Sequence, residues 1–263
     1  MIVRQHDDGS MTLIRQTDHA ELSGFFAARW GNADFEAPRR RESVVRAAAL
    51  HDCGWHSYEA APRYDVATKS SPSFFQTPND DAQLAAYRAG LDWVAGVDAY
   101  AGLLVSRHRT GLWRNRYGAV KSPAMTTRGA LDARVEAFAA EHERAQERAL
   151  ANIDRAEFDI DYQLLQFWDL FSLTLCVGEP KAQRYEFAPE GYARKFGDGT
   201  AIQMTPLGDG DIALDPYPFD KSPLTLGCVH RHLPTNDYAS EADFRLAFFG
   251  AAPRTRNFRF VRA

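Results

Sequence analysis

Residues 157–177 read EFDIDYQLLQFWDLFSLTLCV. The stretch is apolar nearly all round the helix, and a helix that is hydrophobic all round belongs in the middle of a packed structure. The stretch also carries one residue that hydropathy alone does not explain, Asp169 in FWDLFSL. A carboxylate among Leu, Phe and Trp needs a strong partner, because breaking a buried ion pair costs roughly 3–5 kcal/mol. An Arg such as Arg46 or Arg107, a cluster of His, or a metal ion would serve.

Upstream of this helix the chain reads as a short hairpin followed by helices. Residues 1–4 and 11–15 are apolar and β-branched around the turn Asp7-Asp8-Gly9-Ser10. Asp18 followed by Glu21 has the spacing of a capping box, which starts a helix over 18–30 that Gly31-Asn32 stops. A second helix runs over 41–53 and ends at Gly54. Residues 57–78, rich in Pro and Ser, form a long loop of the kind that serves as a binding loop or lid. Asn79 caps a third helix, and Asp98 starts a fourth that ends near 109–111. Residues 126–151 make a long amphipathic helix whose Arg/Glu-rich face is solvated.

Downstream of Gly178-Glu179-Pro180 the texture changes. Turns recur every eight to twelve residues around β-like runs at 200–205, 211–214, 224–230 and 257–261, with one short helix at 241–249. The expected fold is therefore mainly α. It consists of a helical bundle over residues 1–178, including the hairpin, and a β-rich segment over 179–263 packed on it.

Composition narrows the function classes. With 45% hydrophobic residues, 25% charged residues and a net charge of −4, the chain is neither disordered nor strongly charged, so no nucleic-acid or membrane partner is expected. Only five of the 31 basic residues are Lys; the Arg excess, with abundant Ala, looks like base-composition bias. No run approaches the roughly 20 apolar residues of a membrane span. Three widely spaced cysteines make neither a zinc ribbon nor a disulfide framework. A cytoplasmic protein is expected.

The candidate chemistry centres on His51-Asp52 in AAALHDCGW, residues 47–55. A charged Asp at an apolar helix end is costly unless paired or metal-bound. Neighbours on a helix point about 100° apart, yet both can reach one ion over the helix end if one side chain turns back. His19 in the first helix, His108 late in the fourth and Asp169 in the sixth complete a set of imidazoles and carboxylates from four helices. Such donors suit Zn, Mn or Fe, and inward-pointing helical ligands are a common way to build a metal centre.

The order of these residues resembles that of the HD-domain metal-dependent phosphohydrolases. In that superfamily an isolated His precedes a His-Asp doublet, and a distant Asp closes the set. The resemblance covers roughly residues 17–177. It implies an HD-like helical bundle in which His19, His51, Asp52 and Asp169 hold a divalent ion, with His108 matching an extra His of two-metal members. Residues 57–107 contain no further His, so a single ion is expected. The chain is more closely similar to a bacterial domain-of-unknown-function family, in MIVR at the start, Gln16-Thr17-Asp18-His19-Ala20, His51-Asp52-Cys53-Gly54-Trp55, the stretch 100–108 and Pro218-Phe219. That likeness implies no activity.

The expected protein is thus a phosphohydrolase acting on a small phosphorylated substrate or nucleotide. Its metal ligands are His19, His51, Asp52, His108 and Asp169, and its catalytic residues are Asp52, His108 and Arg107. Arg107, Arg109, Arg114 and Lys121 are placed to hold phosphate oxygens, and Trp55, Tyr58, Phe74 and Phe75 to shape an apolar pocket. Glu59 and Asp65 are candidate general acids or bases. An iron-dependent oxygenase and a non-enzymatic ligand-binding protein are the alternatives. Simpler roles exist for single residues: His108 as a cation at a helix C-terminus, His56 in a loop, His142 in solvent, His230 and His232 on a surface strand, and Cys53 as a small buried thiol.

Overall fold

A computed structural model describes residues 1–114, 131–185 and 201–263. The hairpin forms as read, with β1 (Ile2–Gln5) paired antiparallel to β2 (Met11–Ile14). Helices follow: α1 (Gln16–Arg29), α2 (Arg41–Leu50), a 3-10 turn Cys53–Trp55, one-turn α3 (His56–Glu59), α4 (Asp81–Val97), α5 (Ala99–Trp113), α6 (Ala133–Leu150) and α7 (Arg155–Cys176). Strands β3 (Gln183–Tyr185), β4 (Ile202–Gly208), β5 (Asp211–Asp215) and β6 (Leu224–Leu233) come next, then α8 (Glu241–Gly250) and β7 (Arg254–Arg262). The expected start of α6 at residues 126–130 lies outside the described residues.

Capping chemistry explains most helix starts. Asp80, Asp98, Asp132, Asp154 and Ser240 each stand at the N-cap, and each side chain accepts a backbone N–H that the helix leaves unpaired. For α4 the cap is therefore Asp80 rather than Asn79. The capping box expected at Asp18 does not form. The Asp18 carboxylate instead takes the Arg15 guanidinium at 2.5 and 2.9 Å, and α1 starts two residues earlier.

The strands correct the expected mainly-α, HD-like bundle. They form one seven-stranded sheet in the order β1-β2-β6-β7-β5-β4-β3, antiparallel throughout except for the parallel pair β5–β7. Met11 lies opposite Leu233, so the N-terminal hairpin extends the C-terminal strands. The fold is mixed α and β. The physical reason is the period-two burial of the late strands: Ile202 and Met204, Leu224, Leu226 and Cys228, and Phe258 and Phe260 all turn into the core. A sheet with one such face is a wall of the core, not a surface addition.

The same observation explains why α7 is apolar all round. Phe171 packs on Phe26 of α1 (ring centroids 4.7 Å apart) and on Phe260 of β7 (5.5 Å). Helices cover one side of α7 and the sheet covers another, and hydropathy cannot tell that from the centre of an all-helical bundle. Asn32 locks the end of α1 to the sheet side by donating to the carbonyls of Tyr217 and Phe219 at 2.8 and 3.0 Å.

One close approach positions the site. A Cβ added at Gly24 of α1 would sit 2.5 Å from the Cβ of Ala49 in α2. Only glycine lets the two helices touch there, and the contact sets His19, five residues before Gly24, against His51, two residues after Ala49.

Candidate metal centre

The end of α2 delivers both members of the His-Asp pair to one place. His51 keeps helical geometry as the C-cap (φ −59°, ψ −26°), whereas Asp52 leaves the helix (φ −109°, ψ 20°). That turn cancels the angular separation of helical neighbours. His51, Asp52, His19 and Asp169 are all buried.

Their donor atoms converge. His19 Nε2 is 2.9 Å from Asp169 Oδ1, 3.2 Å from His51 Nε2 and 3.9 Å from Asp52 Oδ2. His51 Nε2 is 3.3 Å from Asp169 Oδ1 and 3.7 Å from Asp52 Oδ2. Donors arranged tetrahedrally at about 2.1 Å from a metal stand about 3.4 Å apart, and these separations straddle that value. The partner that Asp169 requires is thus the pair of imidazoles, not Arg46, which pairs with Asp98, nor Arg107.

Outer hydrogen bonds aim both rings inward. His51 Nδ1 lies 2.8 Å from the carbonyl of Ala48, which can only accept, so Nδ1 carries the proton and Nε2 its lone pair when the ring is neutral. Ser172 donates to the Asp169 carbonyl at 2.9 Å and accepts from His19 Nδ1 at 2.7 Å, which likewise turns a lone pair on His19 Nε2 to the centre. Ser23 braces Ser172 at 2.9 Å. Gln16 donates to Asp52 Oδ2 at 3.0 Å, and its own backbone N–H is held by Glu59 at 2.7 Å.

Two lone pairs thus face two carboxylates in one buried cluster, and a cation satisfies them. A proton on His51 is one solution. Burial pulls this imidazole down, but the charges of Asp52 and Asp169 override it and lift it to about 9. Burial likewise pushes Asp169 up, yet the charge of His51 and its hydrogen bond hold it well below the carboxylate range. The other solution is a metal ion, for which the buried His/Asp groups supply donors: His19, His51 and Asp169 form one compact set, and His51, Asp52 and His108 a second that shares His51.

His108 stands edge-on to His51, with ring centroids 4.7 Å apart. Burial, reinforced by His51, keeps it neutral, well below the usual His range. It is a buried imidazole rather than a helix-terminal cation. His19, Asp52, His108 and Asp169 line a cavity of about 410 Å³ that also exposes Gln16, Arg109 and the aromatic rings of Trp55, Phe74 and Phe75.

Arg107 does not line the cavity; its guanidinium stands 5.9 Å over the Tyr162 ring. Arg114 is engaged by Glu136 and Glu143, and Lys121 lies outside the described residues. Tyr58 lies outside the cavity too. Glu59 is buried on the Gln16 N–H, and Asp65 caps an exposed turn at Ala67. His56 is exposed, while His142, expected in solvent, is partly covered by Phe138. Burial pushes the Cys53 thiol up to about 12, which makes it a poor nucleophile. Sequence reasoning gave no role to Ser172, Ser23 or Tyr87; the i,i+3 spacing of Asp169 and Ser172 was the available signal.

No helix among the described residues is long and apolar enough to cross a membrane. Residues 1–235 match the family described as "Protein of unknown function (DUF3891)", and the chain belongs to that family. Neither the curated proteins nor the solved structures contain a match.

Proposed function

We propose that this protein is a metal-dependent hydrolase of a small phosphate ester, holding one divalent ion (Zn, Mn or Fe) through His19, His51, Asp52 and Asp169. The observation that carries this reading is that His19 and His51 each stand 2.9–3.9 Å from a carboxylate oxygen of both Asp169 and Asp52, with His19, Asp52 and Asp169 on a cavity wall. The order of the donors along the chain, which resembles that of the HD-domain phosphohydrolases, adds support without implying their fold. A bound divalent ion would lower the pKa of coordinated water towards about 7 and polarise a phosphoryl oxygen. The protein's own share is to orient and to move protons. Ser172 and Ala48 fix the rings, Gln16 fixes Asp52, and neutral His108 stands beside them on the cavity wall.

Metal analysis of purified protein, with His51→Ala as control, tests the centre, and a screen of phosphate esters tests the reaction. About one ion per chain in wild type, lost in the variant, with metal-dependent phosphate release, is the expected result. Equal and negligible metal in both would overturn it.

A further inference from the structure

Arg109 follows His108 on α5 and lines the same cavity, yet it is only 8% exposed. A buried guanidinium is costly unless an anion answers it. Among the described residues no carboxylate lies within ion-pairing distance of it. Its support is of another kind. The guanidinium carbon stands 4.6 Å from the ring centroids of both Tyr87 and Trp113, and Nη1 donates to the Tyr87 hydroxyl at 2.9 Å. Gln83 donates to that same hydroxyl at 2.9 Å, which fixes the Tyr87 side chain. Arg109 Nε is buried without a hydrogen-bond partner. Rings position the cation and, among the described residues, no carboxylate answers its charge, which is how a preorganised anion contact is built.

The remaining walls set the rest of the ligand. Trp55, Phe74, Phe75, Leu112, Leu131 and Leu173 supply an apolar lining beside the donors and Arg109. We infer that Arg109 is the anion-holding, specificity-determining residue of this cavity, and that its ligand is a phosphate monoester whose alcohol part is a flat apolar ring. The inference rests on the hydrolase reading for the identity of the anion as a phosphoryl group. Arg107, the residue the sequence favoured, has no place in it.

Calorimetric titration with phenyl phosphate, glycerol phosphate and inorganic phosphate tests the inference, using full-length protein with and without metal. Phenyl phosphate is expected to bind at least tenfold more tightly than glycerol phosphate, and inorganic phosphate to compete with it. Arg109→Gln should weaken phenyl phosphate at least thirtyfold while leaving metal content unchanged, and Arg109→Lys should fall between. Unchanged affinity in folded Arg109→Gln overturns the inference, as does equal binding of the two esters in wild type. Should neither variant fold, the wild-type preference and the competition still decide. Binding should persist, weakened, after metal removal. Metal-independent phenyl phosphate binding by a chain that takes up no metal would retire the hydrolase and leave the anion contact standing.

Discussion

Helix α7 buries Asp161 and Asp169, eight residues apart, and treats them in opposite ways. Asp169 faces the imidazoles of His19 and His51 and is held ionised. Asp161, fully buried, faces the Tyr100 hydroxyl at 2.7 Å with Glu157 nearby. Burial, reinforced by Glu157 against the Tyr100 hydrogen bond, lifts Asp161 to about 7. Burial is common to both, so the partners decide. A cationic imidazole keeps its carboxylate charged, whereas a hydroxyl and a second carboxylate make a group that keeps its proton near neutrality. One helix thus carries a candidate cation ligand and a structural acid, and only the first faces the cavity.

The sharpest way to break this contrast is Asp169→Ala. It should abolish metal uptake in an elemental assay and destabilise the metal-free protein by roughly 3–5 kcal/mol, the cost of stranding a buried charge. Retained metal would remove Asp169 from the centre.

Asp161→Asn should act through pH instead. A raised carboxyl costs nothing below about pH 4, where both folded and unfolded chains are protonated. The cost grows as pH rises, because the unfolded chain ionises first, and it is complete above about pH 7. The variant's stability relative to wild type should therefore climb by roughly 4 kcal/mol between pH 4 and pH 8 in urea titrations. A pH-independent difference would show that Asp161 ionises freely.

Ser172→Ala removes the hydrogen bond that orients His19, and outer partners of this kind are worth about 10–100-fold in metal affinity. No change would mean that the ring is held by packing alone. A further effect is graded with pH. His51 is raised to about 9, so its pairing with Asp52 and Asp169 stabilises the metal-free protein fully below about pH 6.5 and is lost as pH climbs through about 9. Metal must displace that proton, so affinity should rise about tenfold per pH unit across the same window. A flat profile would show that His51 is already neutral.

Local patterns were legible and long-range pairings were not. The hairpin, the helices capped by Asp98 and Asp154 and the late strands follow from periodicity and turn chemistry acting over a few residues. The donors His19, His51, Asp52 and Asp169 were visible because charged groups in apolar runs demand partners. The sheet was read as a separate segment because nothing in residues 11–14 announces residues 231–233 as neighbours. Asp18 misled because its carboxylate chose an adjacent guanidinium over the backbone. Arg107 and Arg109 are indistinguishable by type, and only the aromatic sandwich around Arg109 separates them.

The pairing of Met11 with Leu233 also has a consequence for synthesis on the ribosome. At about 5–20 residues per second, roughly ten to forty seconds separate the emergence of the two strands. Through that interval β2 presents an open edge, the kind of surface that recruits stray strands. Maturation of this molecule therefore waits on its last quarter, and a nascent chain halted before β6 would be a client for chaperones.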